Sequence, residues 1–425
     1  MVRFLHAADI HLDSQLKGLE QYEGAPVEAI RGATRRAMER LVELAIEERV
    51  DFVLIAGDLY DGDWKDHNTG LFFVKQAGRL RAADIPLYII AGNHDAAAKM
   101  TRSLPFPANP AGDSPLFSSA KAETRSLPEL GVAIHGRSFA TQAETSNLAR
   151  EYPQAIPGMF NIGLLHTSLD GHADHAPYAP CTLDDLRGKG YDYWALGHVH
   201  TRNVVAQAPW VVYPGNPQGR HIREPGEKGC YLVTASSAHE VQLEFRSLDV
   251  FRWEQIPIDC TGMVTLTELQ SVCSLAIQET AARHAPAAVG IRLVLSGATS
   301  LHQTLAAGSR DWLNDIRSLA LGSAVEGVWI EKVKVQTEPP PHADSAAEVA
   351  ETIGELTAYL AELADDGEQL HALAVALEPL RNKLPAELRT GPEALLLDDP
   401  AWIRQALSDV QPLLLERLAR PERRD

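Results

Sequence analysis

The chain has 425 residues, with 39 Lys plus Arg against 57 Asp plus Glu, a formal charge of −18 at pH 7. That length makes about two to four domains with full hydrophobic cores, and a composition of 45% hydrophobic and 23% charged residues excludes disorder over most of it. No window approaches the roughly 18 consecutive apolar residues of a membrane helix, and the acidic surplus weighs against a polyanionic partner unless that charge is segregated.

Met1–His6 runs straight into a strand pattern without the long apolar core of a secretion signal. Val2–Ala8 is predicted as a strand, Pro26–Arg49 as a helix with Leu41, Leu44 and Ala45 at helical spacing, and Phe52–Ala56 as a buried strand. A helix over Thr69–Ala83 and a second buried strand over Leu87–Ala91 follow. Beyond a Pro-rich stretch at 104–115, strands are predicted near Val132–His135, Ile162–His166 and Tyr193–Leu196. Shorter ones follow at Val204–Ala206, Trp210–Tyr213, Tyr231–Val233 and Val241–Phe245. Alternating strands and helices, then mostly strands, predict an α/β sandwich built on mixed sheets.

Residues 256–337 read as a separate small α/β unit, with helices over Thr265–Arg283 and Trp312–Leu319 and strands over Gly290–Leu295 and Val328–Val335. Glu338-Pro339-Pro340-Pro341-His342 opens a stiff linker, 338–345. From Ala346 onward the chain is helical: Val349, Ile353, Leu356, Leu360 and Leu363 form a coiled-coil-like stripe, continued by Leu370, Leu373, Leu377 and Leu380. The charge is segregated accordingly, at −7 for residues 1–255, −1 for 256–337 and −10 for 338–425. Cys181, Cys230, Cys260 and Cys273 form no CxxC pair, which fits a reduced cytoplasm and excludes a thiolate zinc site.

Five segments put metal-binding side chains at the exits of predicted strands: Asp9-Ile10-His11, Gly57-Asp58-Leu59-Tyr60-Asp61, Gly92-Asn93-His94-Asp95, Leu165-His166-Thr167 and Gly197-His198-Val199-His200. Ligands of sheet-based α/β folds gather outside the carboxyl ends of strands, so the five can converge on one crevice. Asp9/His11 and His198/His200 are i, i+2 pairs, which extended backbone would place on one face. Carboxylate, imidazole and one amide oxygen suit Mn²⁺, Fe²⁺ or Zn²⁺. One ion could take Asp9, His11 and His200, another Asn93, His166 and His198, with Asp58 bridging. Two such ions acidify water, orient it for in-line attack on phosphorus and neutralise the phosphoryl oxygens. His94 is left over and, paired with Asp95, is the candidate general acid. An isolated histidine such as His135, inside an apolar run, reads as core.

Taken together, these segments resemble the signature of the calcineurin-like metallophosphoesterases. His6-Ala7-Ala8-Asp9-Ile10-His11-Leu12 with Gly57-Asp58-Leu59-Tyr60-Asp61 is similar to the SbcD-like DNA repair exonucleases. Tyr191–His200 and Tyr213-Pro214-Gly215-Asn216-Pro217 look like their YhaO-type branch, as does the absence of a glycine after Leu12. The resemblance covers residues 1–255 and implies a metallophosphoesterase β-sandwich flanked by helices, with a small α/β capping domain and a C-terminal helical segment. It implies a DNA phosphodiesterase using two divalent ions, usually Mn²⁺, as a homodimer joined to an SMC-like (SbcC-like) ATPase. Carried residue by residue, Asp9, His11, Asp58 and His200 surround one metal, and Asp58, Asn93, His166 and His198 the other. His94 is then the catalytic histidine and Asp95 its orienting partner.

The chain carries no phosphate loop of its own, so ATP dependence must come from another polypeptide; the acidic tail is either a handle for it or an ordinary helical hairpin packed on its own protein or on a second copy. Arg202, Arg220, Arg223 and Lys228 lie around Pro214-Gly215-Asn216 and are candidates for DNA phosphate contacts. Two further readings stay open: a phosphoesterase of small molecules or proteins, which the ligand set serves equally, and a non-catalytic scaffold regulating an ATPase. The complete ligand set opposes the scaffold, and the length beyond residue 255 favours DNA over a small substrate.

Overall fold

The computed structural model describes residues 1–14, 32–61, 67–97, 106–169, 178–237, 240–308, 310–321, 327–340, 350–384, 388 and 394–419. It divides into two compact units. The first comprises Met1–Gln255, Ala281–Ile291 and Val325–Glu331; the second comprises Ile256–Thr280, Arg292–Ala324 and Lys332–Asp425.

Two sheets make the first unit a sandwich. Strands β1 (Val2–Ala7), β2 (Phe52–Ala56) and β3 (Leu87–Ile90) run parallel. A five-stranded sheet is completed on the β1 side by antiparallel β10 (Gly229–Ser237) and β11 (Glu240–Ser247). The other sheet has six strands in the order β4-β5-β6-β7-β9-β8. Its centre is parallel: β5 (Val132–Gly136), β6 (Phe160–His166), β7 (Tyr193–Gly197) and β9 (Trp210–Tyr213). Antiparallel β4 (Glu123–Leu127) and β8 (Asn203–Gln207) form its edges.

Why these segments are buried on both faces follows from their alternation. Phe52, Leu54 and Ala56 of β2 join Phe4, Tyr88, Ile134, Ile162, Leu164 and Tyr193 between the sheets. Phe4 stacks on Phe52 at 5.0 Å between ring centroids. Val53 and Ile55 instead face Met38, Leu41, Val42 and Ala45 of helix α1 (Ala33–Glu47) and Phe73 of α2 (His67–Ala82). A strand covered on both sides reads as a continuous apolar run, which is why β2 was legible as FVLIA. The predicted helix Pro26–Arg49 is observed from Ala33; its first six residues lie outside the described residues. Two short helices, α3 (Asn93–Ala97) and α4 (Leu183–Arg187), also belong to the first unit.

Past β11, β12 (Phe251–Asp259), β13 (Ala288–Ala298) and β14 (Val328–Glu338) form a three-stranded sheet. The second unit holds most of α5 (Leu266–His284), then α6 (His302–Ala306), α7 (Arg310–Leu321) and three C-terminal helices, α8 (Ala350–Asp365), α9 (Gly367–Arg381) and α10 (Pro400–Ala419). Helix α10 packs on α6, α8 and α9. The leucine stripe is only partly consumed by that packing: Leu363 and Leu370 are buried, whereas Leu380 stays 51% exposed. Most of linker 338–345, and Val349 of the stripe, fall outside the described residues. Among the described residues no helix is long and apolar enough to cross a membrane.

Candidate metal centre

All five motif segments leave the C-terminal ends of parallel strands, three from one sheet and two from the other. The two sheets therefore deliver their polar residues to one edge of the sandwich. Past β1 and β2 the parallel pairing continues into the loops: the Asp9, His11 and Leu12 amides donate to the Gly57, Asp58 and Leu59 carbonyls at 3.0, 3.0 and 2.9 Å. Sharp reversal puts Asp9, His11 and Asp58 at φ 53°, 46° and 51°. Left-handed backbone costs an L-residue roughly 1–2 kcal/mol, a strain that clusters at functional sites. The expected sharing of a face by Asp9 and His11 through strand alternation is thereby corrected. Both residues are left-handed, and the inter-loop hydrogen bonds bring them together.

Close approach explains two of the glycines. A Cβ on Gly57 would lie 2.4 Å from His166 Nδ1, and one on Gly92 would lie 2.3 Å from Asp58 Oδ1. Either methyl group would push a side chain of the centre, His166 or Asp58, out of place.

The donor atoms converge. Ligand atoms of Asp9, His11 and His200 lie within 4.8 Å of one another, as do those of Asp9, Asp58 and His166, and those of His11, Asp58 and His94. Asp58 Oδ2 stands between the sheets, 3.8 Å from His11 Nε2 and 3.6 Å from His166 Nε2. His166 Nδ1 is 2.9 Å from the Ala56 carbonyl oxygen. A carbonyl only accepts, so Nδ1 carries the proton and Nε2 presents a lone pair. That lone pair meets the Asn93 Oδ1 lone pairs at 3.0 Å, two acceptors with no proton between them. His198 contributes its amide to both Asp9 oxygens, at 3.1 and 3.0 Å, and its ring stands 5.2 Å from that of His166.

Such facing acceptors and paired buried carboxylates fit cations and little else. Burial, reinforced by the nearby Asp58 charge, pushes Asp9 well above the usual carboxylate range. Burial also keeps His11 and His166 neutral, down to about 3, as metal ligation requires. Two divalent ions would resolve both features at once.

His94 is oriented by Asp61, whose Oδ1 lies 2.9 Å from His94 Nδ1, and Ser14 Oγ steadies the other Asp61 oxygen at 2.6 Å. Burial works against the charged imidazole, yet the Asp61 hydrogen bond and the Asp58 and Asp61 charges raise His94 overall. Burial likewise opposes ionisation of Asp61, but His11 and His94 beside it hold its carboxyl well below the usual range. The assignment of Asp95 as orienting partner is corrected. His94 and Asp95 are consecutive residues of the short helix α3 (Asn93–Ala97), and neighbours on a helix do not face each other. Asp95 accepts instead from the Leu59, Tyr60 and Gly92 amides at 3.1, 2.8 and 3.1 Å, tying the exits of β2 and β3 together.

Of Arg202, Arg220, Arg223 and Lys228, Arg220 reaches the acidic groups of the centre, with Nη1 3.9 Å from Asp61 and Nη2 3.2 Å from Glu224. Arg202 lies over the Phe245 ring at 4.1 Å, and Arg223 is exposed on the loop. Lys228 is buried, and its Nζ donates to the His200 carbonyl at 3.0 Å, a structural tie in place of the expected phosphate contact. Sequence reasoning missed Glu224, whose Oε1 lies 2.7 Å from His200 Nδ1. No spacing signals it, because the contact joins loops 24 residues apart.

This strand order, these exits and this donor set define a calcineurin-like phosphoesterase domain, and the family model of that description matches residues 2–202. A model described as the middle domain of metallophosphoesterase YhaO matches residues 253–338. The chain is 38% identical over 298 residues to the uncharacterized metallophosphoesterase YhaO of Bacillus subtilis, covering 69% of this chain and 71% of that protein. It belongs to the calcineurin-like metallophosphoesterases of the YhaO type, hydrolases of phosphoesters that use two metal ions. DNA double-strand break repair proteins Mre11 are more distant relatives. That of Sulfurisphaera tokodaii is 29% identical over 48% of this chain and 50% of its own. That of Aeropyrum pernix is 32% identical over 55% and 57%. The chain spans about half the length of these Mre11 proteins.

Proposed function

We propose that this chain is a dinuclear-metal phosphodiesterase acting on DNA, the nuclease subunit of a repair complex with an SMC-like ATPase. The observation that carries the phosphoesterase chemistry is the meeting of bare acceptors, His166 Nε2 against Asn93 Oδ1, beside the Asp58 carboxylate. Similarity to Mre11 proteins and the chain length beyond the catalytic unit support DNA as the substrate. Asp9, His11, Asp58 and His200 would hold one ion, and Asp58, Asn93, His166 and His198 the other, with Mn²⁺ the proposed metal. Ions in this set supply Lewis-acid polarisation of the phosphoryl group and an activated water.

The chain's own residues do the rest. His94 donates a hydrogen bond from Nδ1–H to Asp61, and the imidazolium so held presents its Nε2 proton to the departing oxygen. Arg220, beside Asp61 and His200, adds a fixed positive charge where phosphoryl oxygens collect. The acidic helical tail is the surface for the ATPase, and the working unit is a homodimer.

End-labelled DNA and bis-p-nitrophenyl phosphate, each incubated with the protein and Mn²⁺, test the assignment. Chelator-sensitive cleavage of both is expected. Cleavage of the small diester alone would overturn the DNA assignment and move the protein to small-molecule or protein phosphoesters.

A further inference from the structure

Glu224 is a buried carboxylate on the loop after β9, outside every motif that marks the centre, and it collects four donors. Oε1 lies 2.7 Å from His200 Nδ1 and accepts from Arg220 Nη2 at 3.2 Å. Oε2 accepts from the Arg220 amide at 2.8 Å and from Asn216 Nδ2 at 2.9 Å. His221 Nε2 stands a further 3.6 Å from Oε1. A carboxylate with this company is ionised and acceptor-only, so the proton shared with His200 belongs to Nδ1. His200 Nε2 then projects a lone pair toward His11 Nε2, 3.3 Å away, and Asp9 Oδ1, 4.0 Å away. One rival arrangement exists. Arg220 Nη2 is 3.3 Å from His200 Nδ1 and could donate to it, which would put the imidazole proton on Nε2, aimed into the centre. The shorter contact and the full negative charge of Glu224 decide against that arrangement.

We propose that Glu224 is a positioning residue of the metal centre: it fixes His200 as the Nδ1–H tautomer, so that Nε2 is the ligand atom, and through the same oxygen holds Arg220 beside it. Neutral histidine unassisted has no such fixed preference, and the hydrogen bond at the second nitrogen decides which one binds metal. Arg220 Nε has no hydrogen-bond partner among the described residues although it is buried. The arginine is thus aligned by Glu224 and retains a donor. This inference rests on the two-ion reading of the site and is independent of the DNA assignment.

Mn²⁺ titration by calorimetry, on full-length protein stripped with chelator, tests it without turnover. Wild type is expected to take two ions. Glu224→Gln is expected to weaken one of the two by about 10- to 100-fold while the other is unchanged, and Glu224→Asp to recover part of the loss. Two unaltered sites in Glu224→Gln would overturn the role. Equal weakening of both with a lowered melting temperature in chelator would also overturn it, since that marks a structural residue. No Mn²⁺ binding by wild type would overturn the two-ion reading itself. Should the variants fail to fold, ¹⁵N-histidine-labelled wild type decides. The resonance lost in His200→Gln is expected to show the Nδ1–H tautomer, and the Nε2–H tautomer would sink the proposal.

Discussion

At the scale of single residues the centre separates holding a metal from holding a proton. His94 lies within reach of Asp58 and His11, yet its Nδ1 is committed to Asp61 at 2.9 Å. His94→Asn is therefore expected to keep both Mn²⁺ ions by calorimetry while losing about 10²- to 10⁴-fold in diester cleavage, the ordinary worth of a positioned acid. Asp61→Asn should lose part of that factor, and the double variant should be no slower than His94→Asn alone, because the two act as one unit. Additive losses in this cycle would show that Asp61 works on something other than His94. The residue types of the centre were legible in the sequence because each ligand follows directly on an apolar strand. Which acid faces His94 was not. Asp61 and Asp95 both stood in quoted motifs, and only the geometry of α3 turns the adjacent one away.

At the scale of elements, the sheets are joined by a polar contact as well as by apolar packing. His6 of β1 is fully buried between them, with Nδ1 2.9 Å from the Tyr193 hydroxyl and Nε2 3.1 Å from the Leu196 carbonyl on β7. The carbonyl fixes the proton on Nε2, so Nδ1 accepts from Tyr193. Burial holds this imidazole neutral, lowering it from 6.5 to about 3 despite the favourable Leu196 contact. Below pH 6.5 the unfolded chain binds a proton that the folded one refuses. His6 therefore costs stability as pH falls from about 6.5 toward 3, at up to about 1.4 kcal/mol per pH unit, and contributes no slope above. Guanidinium unfolding of metal-free wild type and His6→Gln between pH 7 and 5 should show a shallower pH dependence for the variant. Equal slopes would mean that His6 is protonated in the folded state. His135 resolves similarly to its sequence reading as core: it is buried, hydrogen-bonded to Thr124 and Asn161 and stacked on Tyr191 at 4.4 Å. Strand periodicity located β1, β2, β3, β6 and β7 to within two residues at each end. It could not show the left-handed turns at Asp9, His11 and Asp58, because these arise from pairing between loops 47 or 48 residues apart in sequence.

At the scale of the molecule, the ligand residues and the densest acidic charge lie in different parts of the chain. All the ligand residues belong to the first unit, and residues 1–255 carry −7, whereas the tail from 338 carries −10. Two divalent ions would bring about +4 to the centre, offsetting the Asp9, Asp58, Asp61 and Glu224 carboxylates, with Arg220 adding a further positive charge beside them. The tail packs through α10 on α6, whose Leu305 is buried, so its removal uncovers part of the second unit while leaving every ligand in place. A cut at residue 341 also keeps β14, which ends at Glu338, whole. Deleting 341–425 is accordingly expected to leave bis-p-nitrophenyl phosphate turnover within about threefold of wild type, less than about 1 kcal/mol on the barrier. On the proposed assignment of the tail, the same deletion abolishes co-purification of the ATPase. Loss of diester turnover in the truncated protein would make the tail part of the catalytic fold. Undiminished ATPase capture would move the docking surface off it. On the proposed DNA assignment, with most of the acidic charge in the tail, the isolated chain is expected to bind duplex DNA weakly even at low salt in a gel-shift titration, and tight binding there would overturn that expectation.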